Sequence, residues 1–150
     1  MTPDFVEMLS ALCAAGVDFI VVGAHALAVH GVPRATGDLY IWVRPERENA
    51  TRVLRALAAF GAPLFDLTRE DLERFDTVFQ IGVPPGRIDI LTGISGVAFD
   101  DAWVNRLTIA LPGVSGEIAI LGRDDFIANK RASGRPKDLL DIALLDELRD

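Results

Sequence analysis

The chain has no long apolar run, one cysteine, two histidines and no excess of positive charge, and each shortage closes off a class of function. Every apolar stretch is broken by glycine, histidine or a charge well before the roughly 18 residues that a membrane helix needs, so no membrane span is expected. The N-terminal stretch lacks a basic segment leading into an apolar block; this argues against a secretory signal and makes the cytoplasm the expected location. Cys13 has no partner for an internal disulfide and lies among Leu12, Ala14 and Ala15, the setting of a buried small side chain. His25 and His30 have no third His or Cys at ligand spacing, so a zinc site is not expected. A net charge of −7 makes the surface as a whole a poor match for a nucleic-acid backbone, and only a local basic patch is left to grip phosphate. Repeats, low-complexity tracts and linkers are absent too. Residues 1–150 therefore read as one domain, and with half of the residues apolar it can bury a core without staples.

What is present is an alternation of helix and strand signals. From Pro3 to Ala15 apolar residues fall at Phe5, Val6, Met8, Leu9 and Leu12, which predicts a helix stopped by Gly16. "VDFIVVG" predicts a buried strand ending at Gly23, and "AHALAVHG" a helix of two turns closed by Gly31. After the loop "VPRATG", Leu39, Ile41 and Val43 alternate with Asp38, Tyr40, Trp42 and Arg44, a strand with two distinct faces that Pro45 ends. "ERENATRVLRALAAFG" is the strongest amphipathic helix, with its core stripe between Asn49 and Phe60. "LTREDLERF" predicts a shorter helix opened by Thr68. "DTVFQIGVPPGRIDILTG" predicts two strands joined by a turn, with Ile88 and Ile90 inward and Arg87 and Asp89 on the other face. Then come a helical turn in "FDDAWVNR", two short strands in "LTIALPGVSGEIAIL" and two helices. The last helix carries Pro136 in its first turn and Leu139, Leu140, Ile142, Ala143 and Leu145 as its expected apolar stripe. The sum is an α+β domain, a mixed sheet with flanking helices.

Three stretches carry chemistry. The first strand ends in Gly23-Ala24, small residues that let backbone approach a ligand and precede a helix whose first amides face a phosphate. Asp38 heads the next strand, and Asp89 points out of the apolar layer of a later one. Small residues for phosphates and carboxylates for a metal are the parts of a nucleotide and Mg²⁺ site. Each part also has a plainer reading. Asp38 after Gly37 suits a turn, Asp89 beside Arg87 suits an exposed ion pair, Gly23 suits helix–strand packing, and Tyr40 and Trp42 suit packing under a neighbouring element rather than stacking on a base. His30 reads as a core residue with one satisfied nitrogen, and His25 as a neighbour of the phosphate site.

Read jointly, Gly23-Ala24, Asp38-Leu39-Tyr40 and Asp89 in "RIDIL" resemble the nucleotidyltransferase (polymerase beta-like) fold. "VVGAHALAVHGVPRATGDLYIWVRP" and "NKRASGRPKDLLDIALL" extend that resemblance, almost end to end, to its minimal branch, the AbiEii and MNT types of bacterial toxin–antitoxin systems. The resemblance implies that Asp38 and Asp89 are catalytic and hold Mg²⁺, and that an NTP is the substrate or ligand. It also implies that a hydroxyl of RNA or protein accepts the nucleotide while pyrophosphate leaves. It brings Arg34 and Thr36, just before the acidic strand, to the nucleotide with Gly23 and Ala24. From the basic tail segment Lys130, Arg131, Arg135 and Lys137 it brings Lys137 and Asp138, the lysine to offset triphosphate charge; the plain alternative pairs Lys137 with Asp141 at i+4.

One position departs from the pattern. Residues i and i+2 of a strand share a face, so a second acid at position 40 would join Asp38 on one ion, and Tyr40 stands there instead. A phenol, with a reference pKa of about 10, brings no charge to a hard cation at neutral pH. Nucleotide binding with weak or no transfer is therefore the expectation. The alternative is a non-catalytic toxin-like domain that acts by binding a protein partner such as a cognate antitoxin.

Overall fold

Thr2 opens the first helix, α1 (Pro3–Ala14): its hydroxyl accepts the Phe5 N–H at 3.3 Å, and Pro3 follows at the first helical position. Phe5, Met8, Leu9 and Leu12 are buried at a spacing of three and four. Removing a side chain such as Leu12 from water stabilises the fold by roughly 1.5–3 kcal/mol. The computed structural model describes residues 1–33 and 37–148, and within them the expected elements follow in order. They are β1 (Phe19–Val22), α2 (Ala24–Val29), β2 (Leu39–Val43), α3 (Arg47–Phe60), α4 (Arg69–Glu73), β3 (Val78–Ile81) and β4 (Ile88–Leu91). After these come α5 (Phe99–Val104), β5 (Leu107–Ala110), β6 (Glu117–Ile120), α6 (Arg123–Ser133) and α7 (Pro136–Glu147).

The six strands form one mixed sheet in the order β3-β4-β2-β1-β6-β5. The β1–β2, β3–β4 and β5–β6 pairs are antiparallel, while β2–β4 and β1–β6 are parallel. Central β1 is buried at all four positions, as a strand covered on both faces must be. The edge strands β3 and β5 are mostly exposed or half-exposed. α1 packs on α3, α6 on α7, and α3 on β2. Asn49, in the first turn of α3, is wholly buried. It accepts the Asp18 N–H at 2.8 Å and donates to the Asp18 and Arg44 carbonyls at 3.0 Å each, tying the start of β1 to the end of β2. With every polar atom satisfied, its burial carries no desolvation penalty of the orphaned kind. No helix among the described residues is long and apolar enough to cross a membrane.

Two expectations about faces are corrected. On α7 the buried residues are Asp138, Asp141, Ile142 and Leu145, whereas Leu139 and Leu140 are 52% and 56% exposed and Ala143 is exposed as well. The true inward stripe keeps the i, i+3, i+4, i+7 spacing but spends two of its places on carboxylates. On β4, Asp89 is buried at 3% exposure along with Ile88 and Ile90, so its side of the strand is covered rather than solvated. Trp42 is buried, as its packing reading required: its ring meets Phe99 of α5 edge-on at 5.0 Å.

Candidate functional site

β1 runs antiparallel to β2, so the C-terminal end of β1 lies beside the N-terminal end of β2, and the parallel pairing puts the start of β4 there too. This juxtaposition creates one row across the sheet, in which Gln80, Asp89, Tyr40 and Val22 are successive partners. Above the row opens a cleft of about 530 Å³, within the size range of small-ligand sites. One wall is Val22, Gly23, Ala24, Gly37, Asp38 and Tyr40; the facing wall comes from α6 and α7 and presents Asn129, Lys130, Arg135, Lys137 and Asp141.

The glycine at the head of α2 is required by two independent constraints. Gly23 has φ 73° and ψ −152°, a region open only to glycine. A Cβ there would also lie 2.9 Å from Tyr40 Cδ2, so the tyrosine ring is seated directly against the turn. Gly37 is required by crowding alone, since its Cβ would come 2.6 Å from that of Pro85. α2 itself spans six residues, too short for a large macrodipole; what it offers a phosphate is local backbone N–H.

Of the residues expected at the site, Gly23, Ala24, Asp38 and Lys137 border the cleft. Arg34 and Thr36 fall outside the described residues. Asp89 and Asp138 lie behind the walls, each buried and each held by cations. Asp89 Oδ1 is 2.8 Å from Arg87 Nε, and Asp89 Oδ2 accepts from Arg87 Nη2 at 3.4 Å. The same Nη2 is 3.6 Å from Asp38 Oδ2, and the Arg87 backbone N–H donates to Asp38 Oδ1 at 3.1 Å. Arg87 therefore bridges the two carboxylates expected to hold a metal. Burial pushes the Asp89 carboxyl above its ordinary range, and the Arg87 charge offsets this only in part. Burial also disfavours the Arg87 charge, but Asp89, a polar interaction with Tyr40, and Asp38 more than restore it, so the guanidinium is held protonated still more firmly.

The other buried acid behaves oppositely. Asp138 Oδ2 accepts from the Arg135 backbone N–H at 3.3 Å and from its Nε at 2.8 Å; Oδ1 accepts from Lys130 Nζ and Arg135 Nη2, both at 3.3 Å. The Arg135 guanidinium, with Lys130 in support, holds this carboxyl below its usual range against the effect of burial. Lys130 also lies 3.9 Å from Asp141 Oδ2. The pair of acids thus anchors the cations of the α6–α7 corner beside the cleft.

Neither histidine lines the cleft, although His25 reaches the backbone of Asp38 beside it. His25 packs edge-on against Phe5 at 5.6 Å and borders a separate apolar groove with Val21, Val29 and Ile109. Burial and the nearby N-terminus lower its pKa, with a backbone hydrogen bond at Asp38 opposing. His30 Nε2 is 2.7 Å from the Leu121 carbonyl, the one satisfied nitrogen expected of it. Among the described residues no group of three or more His, Cys, Asp or Glu is arranged to hold a metal.

Sequence reasoning noticed Arg87 and Asp141 but gave neither a place in the site. The signals were present: Arg87, just before β4, and Asp89 within it are i and i+2 along extended chain, hence on one side, and Asp138, Asp141, Ile142 and Leu145 share one helix face.

No family model and no curated protein matches the chain. Among solved structures, the chain is similar to a putative nucleotidyltransferase from Thermotoga maritima, at 16% identity and a TM-score of 0.59, over 97% of this chain and 88% of that one. The likeness establishes the fold: a mixed six-stranded sheet with flanking helices, of the nucleotidyltransferase type.

Proposed function

We propose that the cleft binds the polyphosphate of a nucleoside triphosphate, and that nucleotidyl transfer is weak or absent in this chain. The observation that supports it is the facing of two walls. Gly23 and Ala24 bring backbone within reach of a phosphate, and Lys130, Arg135 and Lys137 converge from the other side in a protein that is acidic overall. Charge-assisted hydrogen bonds from such cations are about twice as strong as neutral ones. Asp138 fixes two of them, so little side-chain entropy remains to be lost on binding.

The transfer reaction of this fold calls for Mg²⁺ held by carboxylates, and the residues present fit that poorly. Of Asp38 and Asp89 only Asp38 borders the cleft; Asp89 is buried against Arg87, and Tyr40 occupies the intervening place in the row. When bound elsewhere in this fold, such ions activate the acceptor hydroxyl and steady the leaving pyrophosphate. Here the side chains bind and orient the nucleotide.

Calorimetric titration with each NTP tests the reading. Binding is expected for the wild type, with a loss of roughly tenfold or more in Lys130→Ala and Lys137→Ala. Transfer of label from α-labelled NTP onto RNA or protein, compared with Tyr40→Asp, tests the second half. Label with the wild type at the rate of the variant would overturn it.

A second reading rests on Leu139 and Leu140, adjacent and more than half exposed on α7. It makes the domain a binder of a protein partner, as in the toxin–antitoxin setting, and expects no nucleotide affinity and no response to Asp38→Ala.

A further inference from the structure

We propose that the Arg87 guanidinium stands permanently where a divalent cation would sit between Asp38 and Asp89, so that the cleft takes its nucleotide as the metal-free polyanion. The inference deepens the nucleotide reading and rests on it for the identity of the ligand. Its evidence is geometric.

An ion shared by two carboxylates needs oxygen from each at about 2.0–2.1 Å in the case of Mg²⁺. The space between Asp38 and Asp89 is instead filled by a planar cation, at 2.8 and 3.4 Å from the two oxygens of Asp89 and 3.6 Å from Asp38 Oδ2. The second Asp38 oxygen takes the Arg87 backbone N–H at 3.1 Å, so the strand itself, and not only a flexible side chain, holds this acid. A metal entering here would have to displace the guanidinium, strip Asp89 of its half-buried partner, and break that backbone hydrogen bond. Those costs rise steeply as water is excluded.

Tyr40 completes the exclusion from the cleft side. It pairs with Asp89 in the β2–β4 register and borders the cleft, which Asp89 does not. Its ring is packed against Gly23 so closely that no Cβ fits between them, which fixes it as wall. Neutralising the phosphates then falls to Lys130, Arg135 and Lys137 across the cleft, the work an ion does where carboxylates are open.

The test uses Mn²⁺ alone as probe, read by the electron paramagnetic resonance of the free ion, with no nucleotide present. The wild type is expected to bind Mn²⁺ at least tenfold more weakly than the double variant Tyr40→Asp/Arg87→Gln, in which the acid is restored and the guanidinium removed. Arg87→Lys, which keeps a cation in place, is expected to stay as weak as the wild type. Tight Mn²⁺ binding by the wild type, or equal weakness of the double variant when circular dichroism shows it folded, would overturn the proposal. Should the double variant not fold, wild-type affinity for ATP decides: binding in EDTA that weakens in excess Mg²⁺, which draws ATP into its metal complex, supports the proposal, and binding that is equal in Mg²⁺ or needs it defeats it. A wild type that ignores both ATP and Mn²⁺ would end the nucleotide reading while leaving the exclusion of metal standing.

Discussion

The molecule contains two clusters in which a guanidinium meets a buried carboxylate, and they differ in how many cations that carboxylate receives. At the strand ends one guanidinium, Arg87, is shared by two acids, Asp38 and Asp89; at the α6–α7 corner Asp138 is held by two cations, Arg135 and Lys130, the second of which also lies 3.9 Å from Asp141. In the first cluster burial outweighs the shared charge and the Asp89 carboxyl is raised; in the second the bonds from Arg135 outweigh burial and the Asp138 carboxyl is lowered. The lesson is that a buried acid is stabilised not by having a partner but by having enough of one. The contrast also divides the work: on this account the Arg87 cluster closes a metal site, while the α6–α7 corner presents Lys130, Arg135 and Lys137 to the cleft.

The sharpest way to break this contrast is to remove Asp138, which is wholly buried. Asp138→Ala is expected to cost about 3 kcal/mol, because Lys130 loses its nearer buried partner and keeps only Asp141 at 3.9 Å, and to lower Tm by roughly 6–12 °C. Calorimetric unfolding measures it, and nucleotide affinity should fall in parallel. Next in size, Gly23→Ala is expected to cost about 1–3 kcal/mol from backbone strain, with a further loss from the Tyr40 contact. Denaturant unfolding of Gly23→Ala/Tyr40→Ala should recover the second part only.

Smaller but more discriminating is the pH dependence. A lowered carboxyl contributes stability above its unfolded pKa and loses it as pH falls through the folded value, so Asp138 supports the fold at neutral pH and fails in acid. A raised carboxyl acts the other way. Between the ordinary carboxylate range and its folded value, the native state keeps a proton that the unfolded chain releases, so the Asp89 contribution declines as pH rises across that window. Stability measured by urea unfolding from pH 3 to 7 should lose this decline in Asp89→Asn and keep it in Asp138→Asn. The smallest effect is expected where the same kind of pair is only half-buried, on the surface of a helix. Arg69 pairs with Glu73 at 3.3 Å on α4, and Arg69→Ala should change stability by about 0.5 kcal/mol or less in the same assay.

The two clusters also differ in how visible they were in the sequence. Element order and sheet type followed from alternation and from stops at Gly16, Gly31 and Pro45, because short-range periodicity reports directly on which side is buried. The strand-end acids were found through spacing on β2 and β4. What stayed hidden was their shared guanidinium, because the reach of Arg87 to Asp38 depends on the parallel pairing of strands separated by α3, α4 and β3. The α7 stripe was misplaced for a related reason: hydropathy assigns Leu139 and Leu140 inward, and only the cations of α6 reverse that by giving Asp138 and Asp141 partners inside.

The measurement that bears most directly on the central claim is the titration of ATP into the wild type by calorimetry, in EDTA and again in Mg²⁺, with Lys130→Ala beside it. The expected result is saturable binding in EDTA, weaker in excess Mg²⁺ because the ion draws ATP into its metal complex, and weakened roughly tenfold in the variant. Absence of binding in EDTA, or binding as tight in Mg²⁺ as in EDTA or dependent on it, would contradict it.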